Sequence, residues 1–371
     1  MDNKKIKVGI THGDINGISY EVILKTLEDS RIAELCTPVV YGSAKIAATY
    51  RKALELPEVR LTRIDSPAQA TDEKIYIINV VPEDTKVEMG QSSEVAGQAA
   101  FAALERAVAD LKNGDIDVLV TAPINKHNIH SETFTFPGHT EYLESVLADG
   151  DSRAMMIMCN ENLRVALVSI HDPLSHVAEK ITRETVAERI MTFSKSLTED
   201  FAVHAPRIAV LSLNPHAGDN GVIGSEDAEI IIPAIEDARK KKIICFGPYP
   251  ADGFFGSGAY RKFDGVLAMY HDQGMTPFKT IEGNEAAVLL AGLPIVYTST
   301  VHGMAYDIVG QGTADETGMR NAVYLAIDVY NNRKMNTELG ANPLKHYHVN
   351  SNNNESDLNV EQIAGVKNEE N

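Results

Sequence analysis

The chain has 371 residues, 44% hydrophobic and 23% charged, which is long enough and apolar enough for a large buried core. A formal net charge of −18 argues against nucleic acid or anionic membrane as a partner, since both require a basic footprint. A small anion held by a few local cations and backbone N–H groups remains compatible with it.

The first predicted strand, Ile6-Lys7-Val8-Gly9-Ile10, follows Met1 too closely for a signal peptide, and no apolar run reaches the length of a membrane span. Phe101, Leu104, Val108 and Leu111 recur at helical spacing and predict an amphipathic helix over 93–112, with Gly114 as its stop signal. A buried strand at 117–120 then leads into Thr121-Ala122-Pro123-Ile124-Asn125-Lys126, which is expected to line a cleft at the strand end. A second helix is predicted from Thr182, with Val186, Ile190, Phe193 and Leu197 on one face. A third starts near Ser225, with Glu226, Asp227 and Glu229 in its first turn and Arg239 to Lys242 at its end, as the helix dipole favours. A strand is predicted over 293–298, and the polar stretch 346–371 reads as a flexible tail. Strands alternating with amphipathic helices imply an α/β fold around a mainly parallel sheet. The three cysteines, Cys36, Cys159 and Cys245, are far apart and form no CxxC pair, which fits reduced thiols in a cytoplasmic protein.

Three histidines each follow a strongly apolar run: His171 after 164–170, His216 after 208–215 and His271 after 265–270. Runs of Val, Ile and Leu without alternation read as strands buried on both faces, and residues past the carboxyl ends of parallel strands gather in one crevice. One such histidine is ordinarily structural, but the same placement three times points to a metal site. Three protein ligands with an open position suit a catalytic metal, and the wide separations exclude a zinc finger or a helical HExxH pair. Imidazole ligands suit zinc, cobalt and nickel.

No GxGxxG follows the first strand, so a Rossmann fingerprint is absent. Instead, a glycine-rich run extends from His302-Gly303-Met304-Ala305-Tyr306-Asp307-Ile308-Val309-Gly310 to Asp315. This run resembles the nucleotide-binding loop of the isocitrate and isopropylmalate dehydrogenase superfamily. Over residues 6–330 five further motifs resemble the 4-hydroxythreonine-4-phosphate dehydrogenase family of vitamin B6 biosynthesis. They are Gly13-Asp14-Ile15-Asn16-Gly17-Ile18-Ser19-Tyr20-Glu21, the Thr121–Lys126 segment already quoted, Gly138-His139-Thr140-Glu141, Asn214-Pro215-His216-Ala217-Gly218 and Tyr270-His271-Asp272-Gln273-Gly274.

The resemblance implies an isopropylmalate dehydrogenase-like α/β fold with two α/β/α domains and the active site in the cleft between them. The expected division is 1–128 plus 299–345 for the first domain and 129–298 for the metal-bearing second. It implies one divalent metal (zinc, magnesium or cobalt) on His171, His216 and His271, shared between the subunits of a homodimer. It implies NAD or NADP at His302, Gly303, Ala305, Asp307 and Gly310, and a small phosphorylated substrate at His139, Thr140 and Lys279. On the residues themselves, Lys279 suits a carboxylate or phosphate as a point charge. Asp272 either orients His271 or relays a proton, and His139 either caps the following helix or meets substrate. The expected reaction is oxidation of 4-phosphohydroxy-L-threonine at its C3 hydroxyl, followed by decarboxylation to 3-amino-2-oxopropyl phosphate, on the way to pyridoxine 5'-phosphate. Two positions depart from the family pattern: Val288 stands for an Asn six residues before Pro294, and Tyr297 for an Arg three residues after it. Ile15 and Asn16 likewise stand for Pro and Ala. Losing the Arg removes a planar anion clamp, for which Asn284 or Arg320 is the candidate replacement. The departures keep open a dehydrogenase acting on D-threonate or D-erythronate 4-phosphate. A metal-dependent hydrolase or aldolase without nucleotide is the alternative from another class.

Overall fold

The apolar runs become strands because alternate side chains of each are swallowed by opposite faces of one sheet. In a computed structural model, which describes residues 5–342 except 73, 133, 151 and 284, Val118 and Val120 enter one core cluster while Leu119 enters another. The first five strands are β1 (Ile6–Thr11), β2 (Cys36–Gly42), β3 (Leu61–Arg63), β4 (Ile75–Asn79) and β5 (Val118–Thr121). Then come β6 (Met155–Cys159), β7 (Arg164–Leu167), β8 (Arg207–Leu211), β9 (Ile244–Tyr249), β10 (Gly265–Ala268), β11 (Ala287–Ala291) and β12 (Tyr297–Thr300). They form one sheet in the order β3-β4-β2-β1-β5-β12-β11-β6-β7-β10-β8-β9. The expected tail at 346–371 and Asn284 lie outside the described residues.

The sheet is parallel in two blocks but reverses between them. From β3 to β12 all neighbours are parallel, as they are from β7 to β9. The pairs β12–β11, β11–β6 and β6–β7 are antiparallel. Three reversals leave β5 and β7 running in opposite directions, so their carboxyl ends point to opposite ends of the sheet. The three apolar runs before the histidines form parallel strands of one sheet, and the pairing makes β7, β10 and β8 consecutive neighbours.

The predicted helices form with the expected faces inward. The helix Glu94–Lys112 is capped by Ser93, whose hydroxyl accepts from the Ala96 N–H, and it buries Leu104, Val108 and Leu111. The helix Arg183–Glu199 begins at a reciprocal Thr182–Thr185 cap and buries Val186, Ile190, Phe193 and Leu197. The segment expected to start at Ser225 opens as a π-turn over Asp227–Ile231 before the α-helix Ile232–Lys240. The strand expected over 293–298 runs instead from Tyr297 to Thr300, because Leu293 and Pro294 lie in a bend and proline has no N–H for a ladder. The chain forms two compact units, Met1–Lys334, which holds the whole sheet, and Met335–Asn371, whose described part through Ala341 is helical. No helix among the described residues is long and apolar enough to cross a membrane.

Gly97, in the helix Glu94–Lys112, lets the backbone of Asn128 pass against the helix: an added Cβ would stand 1.9 Å from the Asn128 carbonyl oxygen. Backbone cannot swing aside as a side-chain tip can. Gly97→Ala is therefore expected to destabilise the fold by roughly 2 kcal/mol, through forced displacement of the 125–129 loop. Thermal unfolding checks this, and an unchanged midpoint would show that helix and loop separate without cost.

Candidate active site

Ser299 on β12 pairs with Val288 on β11, and Val288 with Met158 on β6, so these side chains stand on one face of the antiparallel strip. They form the floor of a pocket together with Met156 and Tyr297. Its walls come from beyond the strand ends of both parallel blocks. Lys126, His139 and Thr140 follow β5, while His171 follows β7 and His271 and Lys279 follow β10.

Two of the three predicted metal histidines meet here. Glu141 accepts a hydrogen bond from His171 Nδ1 at 2.9 Å, and the ammonium of Lys126 stands 3.2 Å from His171 Nε2. An ammonium can only donate, so Nε2 carries the lone pair and Nδ1 the proton. Burial opposes ionisation of Glu141, but the bond from His171, a bond from its own backbone N–H and the nearby Lys126 charge together hold its carboxyl below the usual range. Asp272 accepts from His271 Nδ1 at 2.7 Å. In both imidazoles a carboxylate engages Nδ1, the arrangement that turns Nε2 toward a metal. His216 does not line this pocket. It lies in the loop Pro215–Gly221, where residues 216–220 all have positive φ, and it is exposed. Among the described residues no group of three or more His, Cys, Asp or Glu is closed into a metal cluster. The strand order brings the three loops to one end of the sheet, and the side chains of two of them into one pocket.

The loops that carry these histidines are tied together by residues given no role from sequence. Gln273 accepts from the Met269 N–H at 2.8 Å and donates to the Ser212 carbonyl at 2.6 Å, joining the ends of β10 and β8. Asp227, 1% exposed, accepts from the N–H groups of Leu213 and Asn214 just before His216. Gly274 lets the helix His271–Glu282 lie against β7 and β10, since a Cβ there would meet Val165, Ala268 and Leu167 within 3.0 Å.

The opposite wall is built for an anion. His139 and Thr140 open the helix His139–Leu147, whose N-cap Gly138 offers no capping side chain, and Gly138, His139 and Thr140 line the pocket together with Lys126. Lys279 reaches in from the helix His271–Glu282 and has no ion pair among the described residues. His139 is not a cap. Its Nδ1 lies 2.8 Å from the Tyr297 hydroxyl and 3.3 Å from that of Thr121, and Nε2 is buried without a partner. Burial, and then the nearby Lys126 charge, pull its pKa down to about 4, so the ring is neutral. Arg320 does not replace the missing guanidinium: it pairs with Glu316, just before the start of its helix, and is not among the pocket-lining residues.

The glycine-rich segment leaves β12 at the pocket rim, where Val301 is a lining residue, and winds on through 302–316 without regular structure. Ala305, Gly310 and Gly312 have positive φ. The segment is bound to the first motif of the chain. The buried carboxylate of Asp14 accepts from the Tyr306 hydroxyl at 2.7 Å, Asn128 Nδ2 at 2.8 Å and the Asn16 N–H at 2.8 Å. Glu21 accepts from the Ala314 N–H, and Lys25 donates to the carbonyls of Gly312 and Ala314. His302 Nε2 is buried without a partner, Gly303 faces open space and Asp307 is exposed, leaving polar groups and room for a ligand. The departures at Ile15 and Asn16 are structural. Ile15 is fully buried, and Asn16 accepts from the Glu88 N–H and donates to Gln91 O and Ser93 Oγ, stitching the 88–93 loop in place.

The model of the pyridoxal phosphate biosynthetic protein PdxA matches residues 34–326. The chain belongs to the PdxA family. It is 51% identical over 345 residues to the 4-hydroxythreonine-4-phosphate dehydrogenase of Bacteroides thetaiotaomicron, covering 93% of this chain and 94% of that one. It is 38% identical over 322 residues to the D-threonate 4-phosphate dehydrogenase of Cupriavidus necator, covering 85% and 95%. A crystal structure of 4-hydroxythreonine-4-phosphate dehydrogenase from Klebsiella pneumoniae superposes with a TM-score of 0.76 at 31% identity, covering 89% and 99%. Val288 and Tyr297, the two positions singled out in the sequence, both lie in the pocket floor.

His12, just past β1, gives a pH signature. Its ring is fully buried between Tyr20 and the Ala99 carbonyl, and burial lowers its pKa to about 4. Neutral in the fold and ordinary when unfolded, it protonates first in the unfolded chain. Stability is therefore lost as pH falls from about 6.5 toward 4, by up to about 1.4 kcal/mol per pH unit, with His139 adding in the same direction. Chemical denaturation across this range is expected to show a shallower slope for His12→Gln than for wild type.

Proposed function

We propose that this PdxA-family protein is a nicotinamide-dependent dehydrogenase that oxidises 4-phosphohydroxy-L-threonine at C3. The observation that carries the reading is a single pocket combining Lys126, Lys279 and an open helix N-terminus with two carboxylate-held imidazoles, beside a glycine-rich segment. The Bacteroides relative, similar over nearly the whole of both chains, supports the same reaction. A hydrolase or aldolase without nucleotide leaves the anchored 302–315 segment unused.

His171, His216 and His271 would hold a divalent cation, and His302, Gly303, Ala305, Asp307 and Gly310 a nicotinamide dinucleotide. The cation supplies Lewis acidity at the C3 hydroxyl, and the dinucleotide accepts hydride. The protein orients and neutralises. Lys126, Thr140 and the first-turn N–H groups of the helix His139–Leu147 bind the anionic end of the substrate, and Lys279 its other anionic group. Asp272 and Glu141 fix the ring orientations of His271 and His171. With the dinucleotide bound, it would supply the two-electron oxidation of the C3 alcohol, the hydroxyl proton passing to a base or water. The resulting 2-amino-3-oxo acid loses CO2 to give 3-amino-2-oxopropyl phosphate.

Two lobes, 1–128 with 299–345 and 129–298, would close over this pocket, a division supported by the change of strand direction between β12 and β7. A homodimer sharing the metal would complete the site. Leu174 at 74% and Val222 at 80% exposure flank the His171 and His216 loops and suit cover by a second copy. The absence of a long apolar helix among the described residues and the metabolic substrate support a cytoplasmic location.

Tyr297 and Val288 favour one second reading, a threonate or erythronate 4-phosphate, for which the Cupriavidus relative is a precedent. Reduced-nicotinamide formation by metal-loaded protein on the three substrates decides. Preference for the amino substrate is expected, and preference for a hydroxy-acid phosphate would overturn the assignment. His216→Ala, at an exposed loop position, is expected to lower kcat/KM by at least about a hundredfold without altering thermal stability. Near-normal turnover would remove His216 from the metal set.

A further inference from the structure

Thr121, Tyr297 and His139 form a closed polar triangle at the pocket wall. Tyr297 Oη lies 2.7 Å from Thr121 Oγ1 and 2.8 Å from His139 Nδ1, and Thr121 Oγ1 lies 3.3 Å from the same nitrogen. Thr121 is 0% exposed and Tyr297 2%, so water does not complete these bonds. Tyr297 has one further side-chain partner, Ser299, whose hydroxyl donates to the phenol oxygen and so adds a proton rather than an acceptor.

The proton count then selects one tautomer. If Nδ1 carried a proton, three protons would compete for the two hydroxyl oxygens as acceptors, and one hydroxyl would be left pointing at nothing. A buried, unsatisfied donor costs about 1–3 kcal/mol. If Nδ1 is bare, one hydroxyl donates to the other and the second donates to Nδ1, and every proton is used. The ring proton then sits on Nε2, the atom that is buried, unpartnered and on a pocket-lining residue. Burial keeps Tyr297 a phenol and His139 an uncharged imidazole, so the count holds at neutral pH.

We infer that Tyr297 is a positioning residue, which with Thr121 locks His139 as a neutral Nε2–H donor aimed at an anionic oxygen of the substrate. This rests on the reading of the pocket as a site for a phosphorylated hydroxy acid. Where the family pattern has an arginine that can contact an anion directly, this chain acts through the imidazole. The chain thereby exchanges a permanent cation for an oriented neutral dipole, which binds oxygen without repelling a substrate ammonium group.

Nitrogen-15 NMR of histidine-labelled, substrate-free protein tests the tautomer independently of what the substrate is. The wild type is expected to show His139 with Nε2 protonated and Nδ1 bare, and Tyr297→Phe a mixture of both tautomers. On whichever phosphorylated substrate is turned over, Tyr297→Phe is expected to raise KM about tenfold with a smaller change in kcat. In a His139→Gln background the same substitution is expected to change KM by less than about twofold, because the residue acts through the ring. A protonated Nδ1 in the wild type, an unchanged tautomer in Tyr297→Phe, or equal KM effects in both backgrounds would each overturn the inference. Failure of all tested phosphates to react would defeat the substrate reading and leave the tautomer result standing.

Discussion

Between β12 and β7 the sheet reverses direction three times, and this strip of antiparallel strands sets the position of everything chemical in the protein. A sheet parallel throughout would deliver all its strand-end loops to one edge. Here the loops after β5 and those after β7 and β10 start from opposite ends and meet over the face of β12, β11 and β6. The two walls accordingly differ in character. One, from the first parallel block, offers a helix N-terminus and a neutral imidazole; the other offers imidazoles with carboxylate partners.

That contrast decides what each histidine can do. His139 faces two hydroxyls and loses its charge to burial, so it donates a hydrogen bond without titrating near neutrality. His171 and His271 are partly exposed and have Nδ1 engaged by Glu141 and Asp272, and the Lys126 ammonium meets Nε2 of His171. The same residue type is a neutral ring between hydroxyls on one wall and a carboxylate-paired ring on the other, and the neighbours account for the difference.

The glycine-rich segment takes its shape from contacts nearly 300 positions away in the chain. Asp14, buried with three donors around it, fixes Tyr306, while Glu21 and Lys25 hold Ala314 and Gly312. Asn16 anchors the 88–93 loop beside them. Flexible glycine backbone becomes a defined surface because buried side chains of another motif satisfy its polar groups.

The sequence by itself determined the α/β class, the helix faces at 94–112 and 183–199, and the buried strands before His171, His216 and His271. These depend on periodicity and on apolar runs, which are local properties of the chain. It also marked Val288 and Tyr297 as departures, without saying what they do. Only the tertiary structure decided that β5 and β7 run in opposite directions, since strand direction depends on pairings between distant segments. Only it joined Tyr297 to His139, 158 positions away, Glu141 to His171, and Gln273 to the Ser212 carbonyl. It also moved β12 to begin after Pro294, and it left His216 out of the pocket that His171 and His271 share. Hydrogen bonds of this kind have no sequence period, because they depend on the distance and direction between groups that only the folded chain brings within 3 Å or so of each other.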